Sequence, residues 1–107
     1  MLHLFRVSGA SMGPLYQHGD YVLISRSAWR RLRRGDDVVA RHGVLGVVLK
    51  RITARIGNQL ELNGLNALSM TSYAIGPVQN NDVLGRVVWH FRSAERIRRQ
   101  GHTLPAI

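Results

Sequence analysis

Short apolar runs separated by turn residues organise most of the chain. The turn residues between them are mainly Gly, Asn and Asp, which favour tight changes of chain direction. Many positions in the runs are β-branched, as is typical of strands. The pattern therefore predicts a small, mostly β domain of antiparallel strands. The apolar runs are Tyr21–Ile24, Val38–Ala40, Val44–Ile52, Gln59–Leu62 and Val83–Phe91.

Two segments carry helix start and stop signals. Ser27–Arg34 begins at a possible N-cap serine and is followed by Gly35, and Ser93–Gln100 has the same form before Gly101. Both are too short to be stable alone, so we expect one or two short helical turns. The segment His102–Ile107 is predicted to be loose, as chain ends commonly are.

Length and composition limit the class of protein. A chain of 107 residues favours a single domain, with a core at about 5–92 and a basic C-terminal tail at 93–107. The absence of cysteine excludes disulfides, a thiolate nucleophile and thiolate metal ligands. The sequence has no apolar run that could span a bilayer and no recognisable signal peptide, which predicts a soluble, cytoplasmic protein. Peripheral membrane association stays open.

The positive charge is carried almost entirely by arginine. The formal net charge is +9, and Lys50 is the single lysine among 15 basic residues. Such a balance indicates an acidic partner, an anionic surface or nucleic acid, or else a coding bias that replaces Lys with Arg. A basic segment, Arg26–Arg34, is either a docking surface or a solvated helix face. Its arginines are Arg26, Arg30, Arg31, Arg33 and Arg34.

A serine lies in a glycine-bracketed turn before the first strong strand. In Val7–Pro14, Ser11 stands between Gly9 and Gly13, and glycine leaves neighbouring backbone N–H groups uncovered. A hydroxyl beside free N–H donors is what acyl transfer requires. The alternative is an ordinary turn serine.

The single lysine lies in a β-branched strand. Alternation in Val47–Ile52 places Val48, Lys50 and Ile52 on one face. Burial on that face would lower the pKa of Lys50 from about 10.4 towards the range of a general base. The alternative is a side chain that extends from the strand to solvent.

Four motifs in order resemble one family. They are Val-x-Gly-x-Ser-Met from Val7, Gly-Asp-Tyr-Val-Leu-Ile from Gly19, Gly-Asp-x-Val-Val-Ala-Arg from Gly35 and Val-x-Lys-Arg from Val48. This order is similar to that of the LexA/signal-peptidase superfamily of Ser–Lys peptidases. The resemblance extends from Arg6 to about Arg92 and implies a fold of coiled antiparallel sheets.

The resemblance also implies a site. Ser11 would be the nucleophile and Lys50 the general base, with no metal or cofactor. Ser69 aligns with the hydroxyl that orients the lysine in signal peptidases. Gly9 stands where those enzymes carry an oxyanion serine, so the oxyanion hole would rest on backbone N–H groups, chiefly that of Ser11. The supporting positions are Gly9, Ala10, Met12 and Ser69.

A later segment resembles the branch that includes signal peptidases and the proteases that mature nickel superoxide dismutase. Gly64–Asn66 and Ser69–Tyr73 correspond to two of its motifs. Leu65 and Thr71 replace aspartates of that branch, and Tyr73 replaces an arginine. The salt bridges that hold this loop in relatives are therefore expected to be missing.

Two functions follow as hypotheses. The first is an endopeptidase that binds a protein precursor as an extended strand and cuts after small residues such as Ala. The second is an inactive relative that binds a protein or nucleic acid through its basic surface. The histidines lack a metal-binding spacing and are predicted to be structural or superficial. They are His3, His18, His42, His90 and His102.

Overall fold

The computed structural model describes residues 1–9, 11–26, 32–66, 76–92 and 106–107. These residues form one 7-stranded antiparallel sheet, which confirms the mostly β prediction. The strands are β1 (Leu2–Arg6), β2 (Tyr21–Ser25), β3 (Asp37–His42), β4 (Gly46–Ile56), β5 (Gln59–Asn63), β6 (Val78–Gln79) and β7 (Val83–Phe91).

The strand order across the sheet is β1-β2-β7-β3-β4-β5-β6. β7 pairs with β2 on one side and with β3 on the other, so it joins the two halves of the sheet. Register shifts at Leu23/Ile24, Val39/Ala40 and Ile52/Ala54 interrupt the ladders. Such irregularities bend a strand and increase its twist. β1 and β6 are the edge strands.

The β3–β4 hairpin shows how the sequence makes its turns. His42 ends β3, and its Nδ1 accepts hydrogen bonds from the backbone N–H groups of Val44 and Leu45, at 3.1 and 3.0 Å. Gly46 opens β4 with a φ of 78°, a conformation that favours glycine. The imidazole thus supplies hydrogen-bond acceptors to the N–H groups of the turn, and the turn sets the register of β3 on β4.

Two apolar clusters form the core. One cluster, which we call the distal cluster, consists of Leu32, Val38, Ala40, Ile52, Leu60, Leu62, Val78 and Val83. The other, which we call the site cluster, consists of Val7, Met12, Tyr16, Val22, Ile24, Val39 and Leu49. Both draw residues from β3 and β4, which are therefore covered on both faces.

The helical expectations are met only in part. A short 3-10 turn, Asn80–Asp82, leads into β7, and the Asp82 carboxylate accepts a hydrogen bond from the Gln79 N–H at 3.1 Å. In the first predicted segment Leu32–Arg34 is not helical, because Leu32 is buried in the distal cluster and the chain then turns into β3. The rest of that segment and all of Ser93–Gln100 lie outside the described residues. No helix within the described ranges is long and apolar enough to cross a membrane.

The prediction of a loose C-terminal segment is wrong for its last two residues. Ala106 pairs with Arg6 as a parallel bridge. The Ile107 N–H donates to the Arg6 carbonyl at 2.8 Å, and the Ser8 N–H donates to the Ile107 carbonyl at 2.6 Å. Ile107 also packs against the site cluster. The free edge of β1 explains this order, since an unpaired edge offers hydrogen bonds to any extended segment.

Candidate active site

Ser11 lies in the turn that follows β1. Beyond Arg6 the pairing with the β2 side continues through Val7, whose N–H donates to the Asp20 carbonyl at 2.7 Å. Gly9 then takes a φ of 81° and the chain turns. The next side chain after Ser11, that of Met12, is only 1% exposed in the site cluster and anchors the turn. Ser11 itself is half-buried.

Lys50 lies in the middle of β4. It pairs with Val38, which is fully buried, and its own side chain is 6% exposed. Burial lowers the pKa of Lys50 below its ordinary value of 10.5, because an apolar surrounding disfavours the charged amine. The neighbouring Leu49 is buried as well, so β4 is covered on both faces at this point.

One pocket brings the two residues together. Ser11 and Lys50 both line a recess of about 100 Å³, with Ser8, Met12 and Ile107 among the other lining residues. The recess is formed between the turn after β1 and the middle of β4. A serine and a lysine with a lowered pKa that line one recess are the residue types that nucleophilic chemistry with proton transfer requires.

A polar network joins the Ser11 turn to the strand of Lys50. The Tyr16 hydroxyl donates to the Asp37 carboxylate at 2.6 Å. Arg51, the residue after Lys50, binds the same carboxylate through Nε at 2.7 Å and Nη2 at 3.0 Å. Burial, followed by the hydrogen bond to Asp37, raises the pKa of Tyr16 above its ordinary value, which keeps its hydroxyl a donor. The network therefore fixes β3, β4 and the turn relative to one another.

A second polar contact holds the other end of the turn. The Asp20 carboxylate is buried, lies 2.8 Å from His90 Nε2 and accepts a hydrogen bond from the Gln17 N–H at 3.0 Å. The ring of His90 also lies against that of Tyr16, with centroids 4.6 Å apart. The turn between β1 and β2 is thereby tied to β7.

The predicted supporting residues are placed as follows. The Gly9 N–H donates to His18 Nδ1 at 3.1 Å. The Met12 side chain belongs to the site cluster, and its carbonyl accepts a hydrogen bond from the Tyr16 N–H at 2.9 Å. Ala10 and Ser69 lie outside the described residues.

The segment after β5 packs on the Ser11 turn. The Leu65 N–H donates to the Ser11 carbonyl at 2.7 Å, and the Asn66 amide donates to the Gly13 carbonyl at 3.0 Å. The Leu65 side chain packs against the site cluster, where relatives are expected to carry an aspartate. An apolar contact, one backbone hydrogen bond and one hydrogen bond from the Asn66 side chain thus hold Gly64–Asn66. Thr71 and Tyr73, the other two departures, lie outside the described residues.

The basic segment is described in part. Arg26, Arg33 and Arg34 are exposed, whereas Arg30 and Arg31 lie outside the described residues. None of the exposed three lines the recess that holds Ser11 and Lys50.

Sequence reasoning missed the residues that connect the site. Tyr16 and Asp37 are 21 positions apart, and Asp20 and His90 are 70 apart. Neither pair forms a local motif, so only the fold reveals them. Ile107 was missed for the same reason.

The chain belongs to the Peptidase S24-like family, whose model matches residues 1–88. This match confirms the resemblance to the LexA/signal-peptidase superfamily. It covers β1–β6 and most of β7, including Ser11 and Lys50. No match was found among curated proteins or among solved structures.

Proposed function

We propose that this protein is a serine endopeptidase in which Ser11 is the nucleophile and Lys50 the general base. The observation that carries the proposal is the shared recess, which is lined by both Ser11 and Lys50, together with the burial that lowers the pKa of Lys50. Membership of a peptidase family supports the same reaction class. The substrate we propose is a protein precursor, cut after a small residue.

The chemistry requires only the groups of this chain and water. Neutral Lys50 Nζ accepts the Ser11 proton as Oγ bonds to the scissile carbonyl carbon, and the π electrons of that carbonyl move to its oxygen. Collapse breaks the C–N bond, and the Lys50 ammonium protonates the leaving amine. Water then attacks the ester, gives a proton to Lys50 and releases the acid, and the proton returns to Ser11. Backbone N–H groups near Ser11 would hold the oxyanion.

A mixture of random peptides tests the proposal. We expect new peptide ends from the wild-type protein, detected by mass spectrometry, and none from Ser11→Ala or Lys50→Met. Ser8→Ala is the matched variant, because Ser8 carries the other hydroxyl of the recess and the change keeps its backbone N–H. It should lose far less activity than Ser11→Ala. Cleavage by Ser11→Ala at the wild-type rate would contradict the proposal.

A second candidate function is binding through the basic segment, favoured by the exposure of Arg26, Arg33 and Arg34. It predicts that immobilised wild type and immobilised Ser11→Ala retain an acidic protein equally, and that the amount retained falls strongly as the salt concentration rises. Retention without any peptide cleavage would favour this function over the first.

A further inference from the structure

The edge of β1 next to Ser11 is already occupied. Backbone groups of β1 alternate in direction, as in any strand. Val7 directs its N–H and its carbonyl towards Asp20 and Gly19, on the β2 side. The Arg6 carbonyl and the Ser8 N–H lie on the opposite side, where the Ile107 N–H donates to the first and the Ile107 carbonyl accepts from the second. Ala106–Ile107 therefore forms a short extended segment that runs parallel to β1 along its outer edge.

The same segment reaches the recess. Ile107 lines it together with Ser11 and Lys50, and its side chain packs against the site cluster. Ala106 is exposed, as alternation along an extended segment requires. A peptide that adds a strand to a sheet edge gains main-chain hydrogen bonds and places alternate side chains in pockets. Ala106–Ile107 meets both conditions.

We infer that Ala106–Ile107 is an internal inhibitor that occupies the edge of Arg6–Ser8, where an extended ligand would lie parallel to β1. The inhibitory role rests on the proposed peptidase function. Any peptide that pairs with Arg6 and Ser8 beside Ser11 must displace the segment, because two strands cannot occupy the same stretch of one sheet edge. The segment and the substrate therefore compete.

The competition should reduce the apparent affinity for substrate by a factor set by how often the segment occupies the edge. If the segment occupies the edge nine-tenths of the time, the apparent affinity for substrate falls about tenfold. Releasing it should lower KM by about that factor.

Ile107→Asp on the full chain tests the competition. The carboxylate disfavours the apolar contact of Ile107, and we expect a KM about tenfold lower for a peptide substrate. The matched control is Ile56→Asp, at a side chain that is 70% exposed at the end of β4 and outside the recess. It should leave KM unchanged. An unchanged KM in Ile107→Asp would overturn the inhibitory role.

A binding measurement tests the edge without catalysis. The probe is a peptide with the sequence of residues 103–107, titrated into the double variant Ser11→Ala, Ile107→Asp and into Ser11→Ala alone. We expect binding to the double variant and about tenfold weaker binding to the single one. N-methylation of the probe at its Ile removes the donor to Arg6 and should abolish binding, whereas N-methylation at its Ala should not.

The two experiments separate the two proposals. Probe binding with the expected N-methyl pattern, but no cleavage by any variant, would refute the peptidase and leave the edge standing. Cleavage by wild type, with no probe binding to the double variant, would refute the edge and leave the peptidase standing. Equal loss of binding with either methyl group would overturn the parallel register.

Discussion

Replacing Lys50 with Met tests two properties of the buried amine: its effect on the free energy of unfolding and its proposed role in cleavage. The side chain is 6% exposed and pairs with fully buried Val38, so its protonated form is held where charge is poorly solvated. While the amine is protonated, each unit by which burial lowers its pKa costs the folded state about 1.4 kcal/mol. Met has nearly the volume of Lys without the amine. We therefore expect Lys50→Met to raise the free energy of unfolding by about 1 kcal/mol or more at pH 7, and to lower the cleavage rate at least about 100-fold.

The dependence on pH follows from the direction of the pKa shift. Burial lowers the pKa of Lys50 in the folded state below its ordinary value of 10.5. Below the folded pKa both states hold the proton, and the penalty is fully present. As the pH rises from the folded pKa to about 10.5, the unfolded chain binds more protons, so the wild type gains stability. The advantage of Lys50→Met must shrink across that window, and cleavage by the wild type must rise as Lys50 becomes neutral.

Urea unfolding at several pH values, with initial rates of peptide cleavage, measures both effects. Arg41→Met, at an exposed position of β3, is the control and should change stability by less than about 0.5 kcal/mol at every pH. Lys50→Arg should be inactive and less stable than wild type, because Arg keeps its proton. The single lysine can also be titrated directly by NMR after labelling of its Nζ. A stability unchanged by Lys50→Met, or an unshifted titration, would refute the reasoning.

Three further predictions concern the sheet, the network and the basic segment. Gly85→Ala should lower the free energy of unfolding by about 1–3 kcal/mol, because a Cβ there would lie 2.9 Å from the Ser25 carbonyl oxygen, whereas Gly43→Ala meets nothing within 4 Å and should change it little. Tyr16→Phe should cost about 0.5–1.5 kcal/mol in thermal or urea unfolding, since it removes a donor to Asp37; no loss would mean that the network does not stabilise the turn. Replacing Arg30, Arg31 and Arg34 of the basic segment with Gln should slow cleavage of the protein precursor at low salt and leave cleavage of a short peptide unchanged. An equal loss of cleavage rate on both substrates would place these arginines at the catalytic cleft.

The sequence carried enough local information to predict five of the seven strands in the described sheet, but not β1 or β6. Turn residues and β-branched runs predict elements because each depends on neighbours in the chain. The face shared by Val48, Lys50 and Ile52 also follows from alternation alone. What alternation missed is the burial of Leu49 on the other face, which depends on the site cluster packing against the second side of the sheet.

The supporting contacts depend on the fold as a whole. The carboxylate of Asp37 gives no sign in the sequence that it will receive both Tyr16 and Arg51. Nothing in the local sequence marks Ile107 as ordered, because its partners lie about a hundred positions earlier, at Arg6 and Ser8. Partners so distant in sequence leave no periodicity to detect.

The place of β7 in the sheet determines when, during synthesis, the proposed active site can form. Within the described sheet it is the one strand that hydrogen-bonds to both the β1–β2 half, beside the Ser11 turn, and the β3–β4 half, which carries Lys50. It is also the last of the seven strands in chain order. A ribosome adds about 5–20 residues per second, so a nascent chain spends seconds with both halves made and the joining strand missing. During that time no complete sheet holds the Ser11 turn and the strand of Lys50 together, so the proposed active site cannot form until β7 has been made.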